Sequence, residues 1–155
     1  MQELKERIVK EGKVLPGNII KVDGFLNHRI DTGLLTRIAE EFGKYFNMGE
    51  VTMVLTAEAS GIALATAVAT YFHKPMIFAK KAKSDNIEGG LYQSDIYSYT
   101  YKKKVTLLVS KEWLSSDDKV LIIDDFMANG EAMRGLCDIV TAAGATLMGI
   151  GCDVE

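Results

Sequence analysis

The chain has 155 residues, of which 48% are hydrophobic and 25% charged, a balance typical of one globular domain with its own core. A net charge of −3 gives no overall attraction toward nucleic acid or an anionic membrane. No run of about 18 apolar residues indicates a membrane span, and the charged N-terminus MQELKERIVKEG is unlike a secretion signal. Cys137 and Cys152 lie in apolar segments without metal-like spacing, which is typical of buried thiols in a cytoplasmic protein.

The N-terminal third predicts two helices separated by irregular chain. The first helix covers Gln2–Glu11, with its inward face formed by three apolar residues: Leu4, Ile8 and Val9. Pro16 and the residues after it break the chain, and IIKVDGFLNHRID is predicted to be extended and irregular. Asp31 or Thr32 is then predicted to cap a helix that reaches about Phe46.

The rest of the chain alternates strand and helix. Strands are predicted at 51–57, 76–79, 119–124 and 145–154, with helices at 60–72 and 130–143. These strands are apolar on both faces, which indicates an α/β protein with a parallel sheet covered by helices. The stretch between Lys80 and Lys111 departs from the alternation and predicts two antiparallel strands beside a lid. We expect ligands beyond the carboxyl ends of the parallel strands.

The segment KVLIIDDFMANGEA, residues 119–132, places two carboxylates where a buried strand ends. A turn of small residues and a helix follow, and a helix N-terminus attracts anions. Asp124 and Asp125 would face the same ligand, where carboxylates accept hydrogen bonds from sugar hydroxyls or hold a hydrated Mg²⁺. This chemistry suits a phosphorylated ribose. The alternative is that both residues merely end a strand and cap a helix.

VLIIDDFMANGEA resembles the phosphoribosyl-diphosphate (PRPP) motif of type I phosphoribosyltransferases. The resemblance implies that Asp124 and Asp125 hold the ribose hydroxyls. It also implies that five consecutive residues hold the 5′-phosphate: Ala128, Asn129, Gly130, Glu131 and Ala132. Asn129, Glu131 and Ala132 depart from the commoner Thr, Gly and Thr, so backbone N–H groups must contribute more. We expect the Glu131 carboxylate to point away from the phosphate.

Two further loops fit the same family. Glu58, Ala59, Ser60 and Gly61, within AEASG, resemble the family loop that contacts pyrophosphate, although Ser60 as a simple helix cap is an alternative. Lys81 and Lys83 lie where the family carries basic residues and a flexible hood, although a solvated charge run is an alternative. The resemblance gives the catalytic role to Lys81 together with the two aspartates.

The segment KVDGFLNHRID is similar to the N-terminal hood of bacterial xanthine phosphoribosyltransferases. This similarity places Ile20 against a purine base and Asn27 at its edge, where an amide offers both a donor and an acceptor. Phe25 either packs on the base or fills the core, and we favour the core. The resemblance implies transfer of the phosphoribosyl group from PRPP to xanthine, with Mg²⁺ bound alongside PRPP, in a homodimer with a type I fold. The family continues beyond this point, so we expect the single domain, 1–155, to be shortened at its C-terminal end.

Three alternative functions can be weighed against the sequence. Another purine transferase would use adenine, guanine or hypoxanthine, because the fold does not determine the base. A purine repressor of the same fold would sense PRPP without catalysis, but the chain has neither an evident winged-helix segment nor a positive charge. A Rossmann dinucleotide site is disfavoured because no G-x-G-x-x-G motif follows an early strand.

Overall fold

The computed structural model describes residues 1–16, 19–81, 90–98 and 103–154. The N-terminal part contains α1 (Gln2–Glu11), β1 (Lys13–Leu15), β2 (Ile19–Lys21), one π-helical turn (Asp23–Asn27) and α2 (Thr32–Phe42). The central part contains β3 (Met53–Ala57), α3 (Gly61–Tyr71), β4 (Met76–Lys81), β5 (Leu91–Ser98) and β6 (Lys103–Ser110). The C-terminal part contains β7 (Lys119–Phe126), α4 (Glu131–Ala142) and β8 (Thr146–Val154).

Within the described residues, six strands form one mixed sheet in the order β5-β6-β4-β3-β7-β8. Strands β4, β3, β7 and β8 run parallel, and β6 pairs antiparallel with both β4 and β5. The predicted parallel core and antiparallel pair are both confirmed. Because β3 and β7 are parallel neighbours, the loops that follow them meet at the same edge of the sheet.

Apolar side chains on the two faces of the sheet form separate cores. One face packs on α2 and α3, and Leu121 and Ile123 of β7 point into it. The other face packs on α4, and Val120 and Ile122 of the same strand point that way. Strand β7 is therefore buried on both sides, and every residue from Val120 to Asp125 is buried. This double burial holds the end of β7 in place, where the paired aspartates lie.

The N-terminal segment departs from the predictions at three points. Val9 is 86% exposed, although it was expected to face inward with Leu4. The segment expected to be irregular contains an antiparallel β1–β2 pair and the π-helical turn. Helix α2 begins where expected, with Asp31 Oδ1 accepting a hydrogen bond from Leu34 N at 3.0 Å, but ends at Phe42. An added Cβ on Gly43 would lie 2.4 Å from Phe72 Cζ, so close packing accompanies the helix end.

In the described part of the chain, no helix combines the length and the apolar character that crossing a membrane requires.

Candidate functional site

Two loops meet at the carboxyl ends of β3 and β7. Residues 58–60 link β3 to α3, and the Glu58–Ala59 peptide bond is cis. The Ser60 hydroxyl donates a hydrogen bond to Asp125 Oδ1 over 2.9 Å. The two predicted loops, 65 positions apart in sequence, are therefore joined by one short side-chain contact.

The acidic pair at the end of β7 is buried. Asp124 and Asp125 are 6% and 3% exposed, and the Asp125 amide donates to Asp124 Oδ1 over 3.1 Å. Asp125 Oδ2 has no hydrogen-bond partner among the described residues. A buried charged oxygen without a partner is costly, so this atom is available to a ligand that brings a donor.

The start of α3 crowds the same carboxylates. A Cβ added to Gly61 would lie 2.1 Å from Asp124 Oδ1 and 2.3 Å from Thr56 Oγ1. Glycine is therefore required for the helix to approach the acidic pair this closely. The Thr56 hydroxyl is buried and has no hydrogen-bond partner within the described chain. Sequence reasoning missed Thr56, because a threonine within a strand carries no distinctive signal.

Burial controls the charge of this site. It raises the pKa of Asp124 to about 7, the neighbouring negative charge of Asp125 acts in the same direction, and the positive charge of Lys81 opposes both. Burial and the charge of Asp125 also raise the pKa of Asp153, near the end of β8, to about 7. A ligand that donates hydrogen bonds to these carboxylates would favour their ionised forms.

The loop after β7 curls into the N-terminus of α4. Ala128 and Gly130 adopt left-handed φ values of 47° and 74°, and Gly130 N donates to Met127 O over 2.8 Å. No side chain caps α4 within the described residues, so the amides of its first turn remain open for an anion. Ala128 and Asn129 are exposed, while Gly130, Glu131 and Ala132 are partly buried. The loop has the form expected of a phosphate cradle.

The Glu131 carboxylate is held by strand β5 and by its own helix. Its Oε2 accepts a hydrogen bond from Tyr97 N at 3.2 Å and pairs with Arg134 Nη2 at 3.1 Å. Both hydrogen bonds lower the pKa of Glu131, with that from Arg134 the stronger. These contacts hold the carboxylate toward β5, and the expectation that it points away from a bound phosphate stays a prediction.

Lys81 ends β4 on the same edge of the sheet. Its backbone N–H donates to Glu58 Oε1 over 2.5 Å, which links the β4 end to the predicted pyrophosphate loop. The positive charge of Lys81 opposes the raised pKa of Asp124. Lys83 lies outside the described residues, so its predicted role stays a prediction.

The predicted base-binding residues lie in the N-terminal segment. Asn27 closes the π-helical turn, which contacts α3, and Ile20 packs at the edge of the core on that face. Phe25 has no exposed surface, and Arg7 lies over its ring at 5.1 Å from the centroid. Its position agrees with the core alternative for Phe25.

A cavity of about 400 Å³ lies between the N-terminal helices and the end of β8. Its lining includes Phe42, Tyr45, Phe46 and Asp153, but not Ile20 or Asn27. The predicted base residues therefore do not line this cavity. Asp153 Oδ2 is buried without a hydrogen-bond partner among the described residues. Sequence reasoning missed Asp153, although a lone acid in an otherwise apolar strand was a usable signal.

Comparison with known proteins places this arrangement among phosphoribosyl-transferring proteins. The model of the "Phosphoribosyl transferase domain" family matches residues 27–154. The chain is 51% identical over 155 residues to a xanthine phosphoribosyltransferase of Lachnoclostridium phytofermentans, covering 100% of this chain and 80% of that protein. It is 49% identical over 155 residues to a xanthine phosphoribosyltransferase of Ligilactobacillus salivarius, covering 100% and 81%. These matches confirm the resemblance drawn from the sequence.

Solved structures confirm the fold at low sequence identity. Adenine phosphoribosyltransferase from Saccharomyces cerevisiae, complexed with an imino-altritol bisphosphate and adenine, superposes with a TM-score of 0.80 at 15% identity. The match covers 100% of this chain and 90% of that one. The enzyme from Trypanosoma brucei, in complex with AMP, pyrophosphate and ribose-5-phosphate, gives a TM-score of 0.76 at 21% identity, covering 96% and 66%. At these identities the likeness supports the fold alone.

Proposed function

The chain belongs to the phosphoribosyltransferase family, and from that premise we propose that it transfers the 5-phosphoribosyl group of PRPP to xanthine, forming XMP and pyrophosphate. One observation carries the proposal. The hydrogen bond from Ser60 to Asp125 joins the loop before α3 to the buried acidic pair, and the chain continues from that pair into the uncapped N-terminus of α4. In this proposal these three parts would hold, in that order, the pyrophosphate, the ribose hydroxyls and the 5′-phosphate of one PRPP molecule.

Each part of the site would act on a different part of PRPP. Asp124 and Asp125 would accept hydrogen bonds from the ribose hydroxyls, satisfying the unpartnered Asp125 Oδ2 and fixing the ring. The α4 amides and residues 128–132 would hold the 5′-phosphate. The loop 58–61 and Lys81 would stabilise the pyrophosphate as it leaves C1 and positive charge develops on the sugar. We propose the catalytic roles of Asp124, Asp125 and Lys81 on this basis.

We propose that Mg²⁺ arrives bound to PRPP. Among the described residues, no cluster of three or more His, Cys, Asp or Glu side chains is arranged to hold a metal. Mg²⁺ takes most of its ligands from substrate phosphates and water and few from protein, so PRPP itself would supply most of them. Asp124 and Asp125 would hold the ion beside the ribose, where it would offset the charge of the departing pyrophosphate.

We propose that the N-terminal segment selects the purine base. Asn27 would face the purine edge with its amide donor and acceptor, and Ile20 would pack on the ring. We expect Asn27→Ala to change base preference while leaving PRPP affinity within about threefold. Asp125→Asn should instead weaken PRPP use by about a hundredfold, since it alters a group that contacts the ribose. An unchanged base preference in Asn27→Ala would refute the assignment of Asn27.

A panel of purine bases tests the proposal. The protein would be incubated with PRPP and Mg²⁺ and with xanthine, guanine, hypoxanthine or adenine in turn, and nucleotide formation followed chromatographically. The proposal predicts XMP as the main product. Equal use of adenine would contradict the proposal. PRPP binding without turnover of any base would favour the alternative of a purine repressor that senses PRPP.

Two further properties remain proposals. We propose a homodimer, as the family resemblance implies, and light scattering during gel filtration would test it. We propose a cytoplasmic location because Cys137 and Cys152 are both free thiols, a state typical of reducing compartments.

A further inference from the structure

The first residue of α4 places a carboxylate where the proposed site needs a positive field. Glu131 lies between Gly130 and Ala132, and its side chain is 33% exposed. A negative charge at a helix N-terminus stabilises the empty helix, but it repels a phosphate that would bind the same amides. A nearby positive charge is therefore needed to offset the Glu131 carboxylate when a phosphate binds.

Arg134, one turn further along α4, carries the offsetting charge. Its Nη2 lies 3.1 Å from Glu131 Oε2 and donates to Asp95 O of strand β5 over 2.8 Å. Its Nη1 pairs with Asp138 at 2.8 Å. The guanidinium therefore bridges one face of α4 to β5, with Glu131 at the end nearest the phosphate loop.

The position of Arg134 depends on tight packing of α4 against β5. A Cβ added to Gly135 would lie 2.5 Å from Ile96 Cγ2, so this face of the helix lies directly on the strand. On the same face, Ser94 Oγ donates to Asp138 over 2.7 Å. Because helix and strand are this close, Tyr97 N and Arg134 both hold the Glu131 carboxylate toward β5.

We propose that Arg134 is a positioning residue for PRPP binding, acting through Glu131 and not by touching the substrate. It neutralises the Glu131 carboxylate and holds it against β5, so that the first-turn amides of α4 stay open to the 5′-phosphate. This inference rests on the proposed function of the site. Arg134 lies outside the phosphate loop, residues 128–132, and it would support phosphate binding there through Glu131 alone.

A double-mutant cycle on PRPP affinity tests this role. The dissociation constant of PRPP with Mg²⁺ would be measured by calorimetry for Arg134→Met, Glu131→Gln and the double variant. Arg134→Met leaves Glu131 with its charge uncompensated, so we expect about tenfold weaker binding. Glu131→Gln removes the charge itself, and its dissociation constant is the reference value for the double variant. The double variant should return to within about threefold of Glu131→Gln, because no charge is left to repel the phosphate.

Two matched variants separate positioning from a structural role. Asp138→Asn removes the other ionic partner of Arg134 without touching Glu131, and we expect unchanged PRPP affinity. Arg134→Lys keeps the charge and should restore most of the affinity. If Arg134→Met does not fold, Arg134→Gln, which also removes the charge, takes its place in the cycle. In steady-state kinetics, the effect should fall on KM for PRPP, with kcat changed by less than twofold.

Specific outcomes would overturn the inference. A double variant as weak as Arg134→Met, or Arg134→Met with wild-type affinity, would show that Arg134 does not act through Glu131. A wild-type protein that does not bind PRPP would refute the proposed function itself, which distinguishes the two failures.

Discussion

Replacing Gly61 by alanine tests the geometry of the site most sharply. The new Cβ would lie 2.1 Å from Asp124 Oδ1 and 2.3 Å from Thr56 Oγ1, whereas real Cβ atoms stay beyond about 3.0 Å. Either the α3 N-terminus or the Asp124 carboxylate must therefore move by about 0.9 Å. A misplacement of about 1 Å in a catalytic arrangement costs about a hundredfold in rate. We expect kcat/KM for PRPP to fall by about that factor.

The free energy of unfolding of Gly61→Ala should fall together with its activity. Forcing a methyl group into a packed position costs about 1–3 kcal/mol, which outweighs the gain from replacing a helical glycine. Gly33→Ala is the matched control, because its Cβ would meet only Arg37 Nη1 at 3.3 Å and Asp31 Oδ1 at 3.5 Å. That control should keep wild-type kinetics and gain about 0.5–1 kcal/mol of stability. Wild-type kcat/KM in Gly61→Ala would refute the proposed role of this close approach.

Three further predictions follow from the same region. The folded pKa of Asp153 is raised from 3.8 to about 7, so the native state holds this proton more tightly and stability falls as pH rises from 4 to 7. Asp153→Asn should therefore be more stable than the wild type at pH 8, by up to about 4 kcal/mol, and equal to it near pH 4, as measured by urea unfolding; equal stability at pH 8 would contradict this. Ser60→Ala removes the donor to Asp125 and should lower kcat/KM for PRPP about tenfold, with Ser60→Thr close to wild type; equal losses in both variants would argue against the hydrogen bond. Burial raises the pKa of Cys152 to about 12, so its alkylation by iodoacetamide at pH 8 should be slow in the native protein and fast in urea, as followed by mass spectrometry; rapid native labelling would show that the thiol is accessible.

The strands of the core could be predicted because each is apolar on both faces. β7 shows this best, since its alternating residues enter two different cores, and its two aspartates stand out against that background. The contact between Ser60 and Asp125 is not visible as a pattern in the sequence. It follows from topology, because parallel neighbours bring the ends of β3 and β7 to one edge.

The misses have local physical causes. Val9 was placed inward with Leu4, but five residues along a helix correspond to about 140° of rotation, which turns Val9 toward solvent. Ile8, four residues from Leu4, stays on the packed face. The π-helical turn at Asp23–Asn27 has no periodic signal, because it depends on packing against α3. Asp153 stands out as a lone acid in an apolar strand, but its nearness to the charge of Asp125 follows from the fold and has no sequence pattern.

The location of PRPP in the folded protein tests the central claim most directly. A crystal structure with PRPP and Mg²⁺ should show the ribose hydroxyls within hydrogen-bond distance of Asp124 and Asp125 and the 5′-phosphate on the amides of residues 128–132. PRPP bound elsewhere, or with its 5′-phosphate away from the start of α4, would contradict the account.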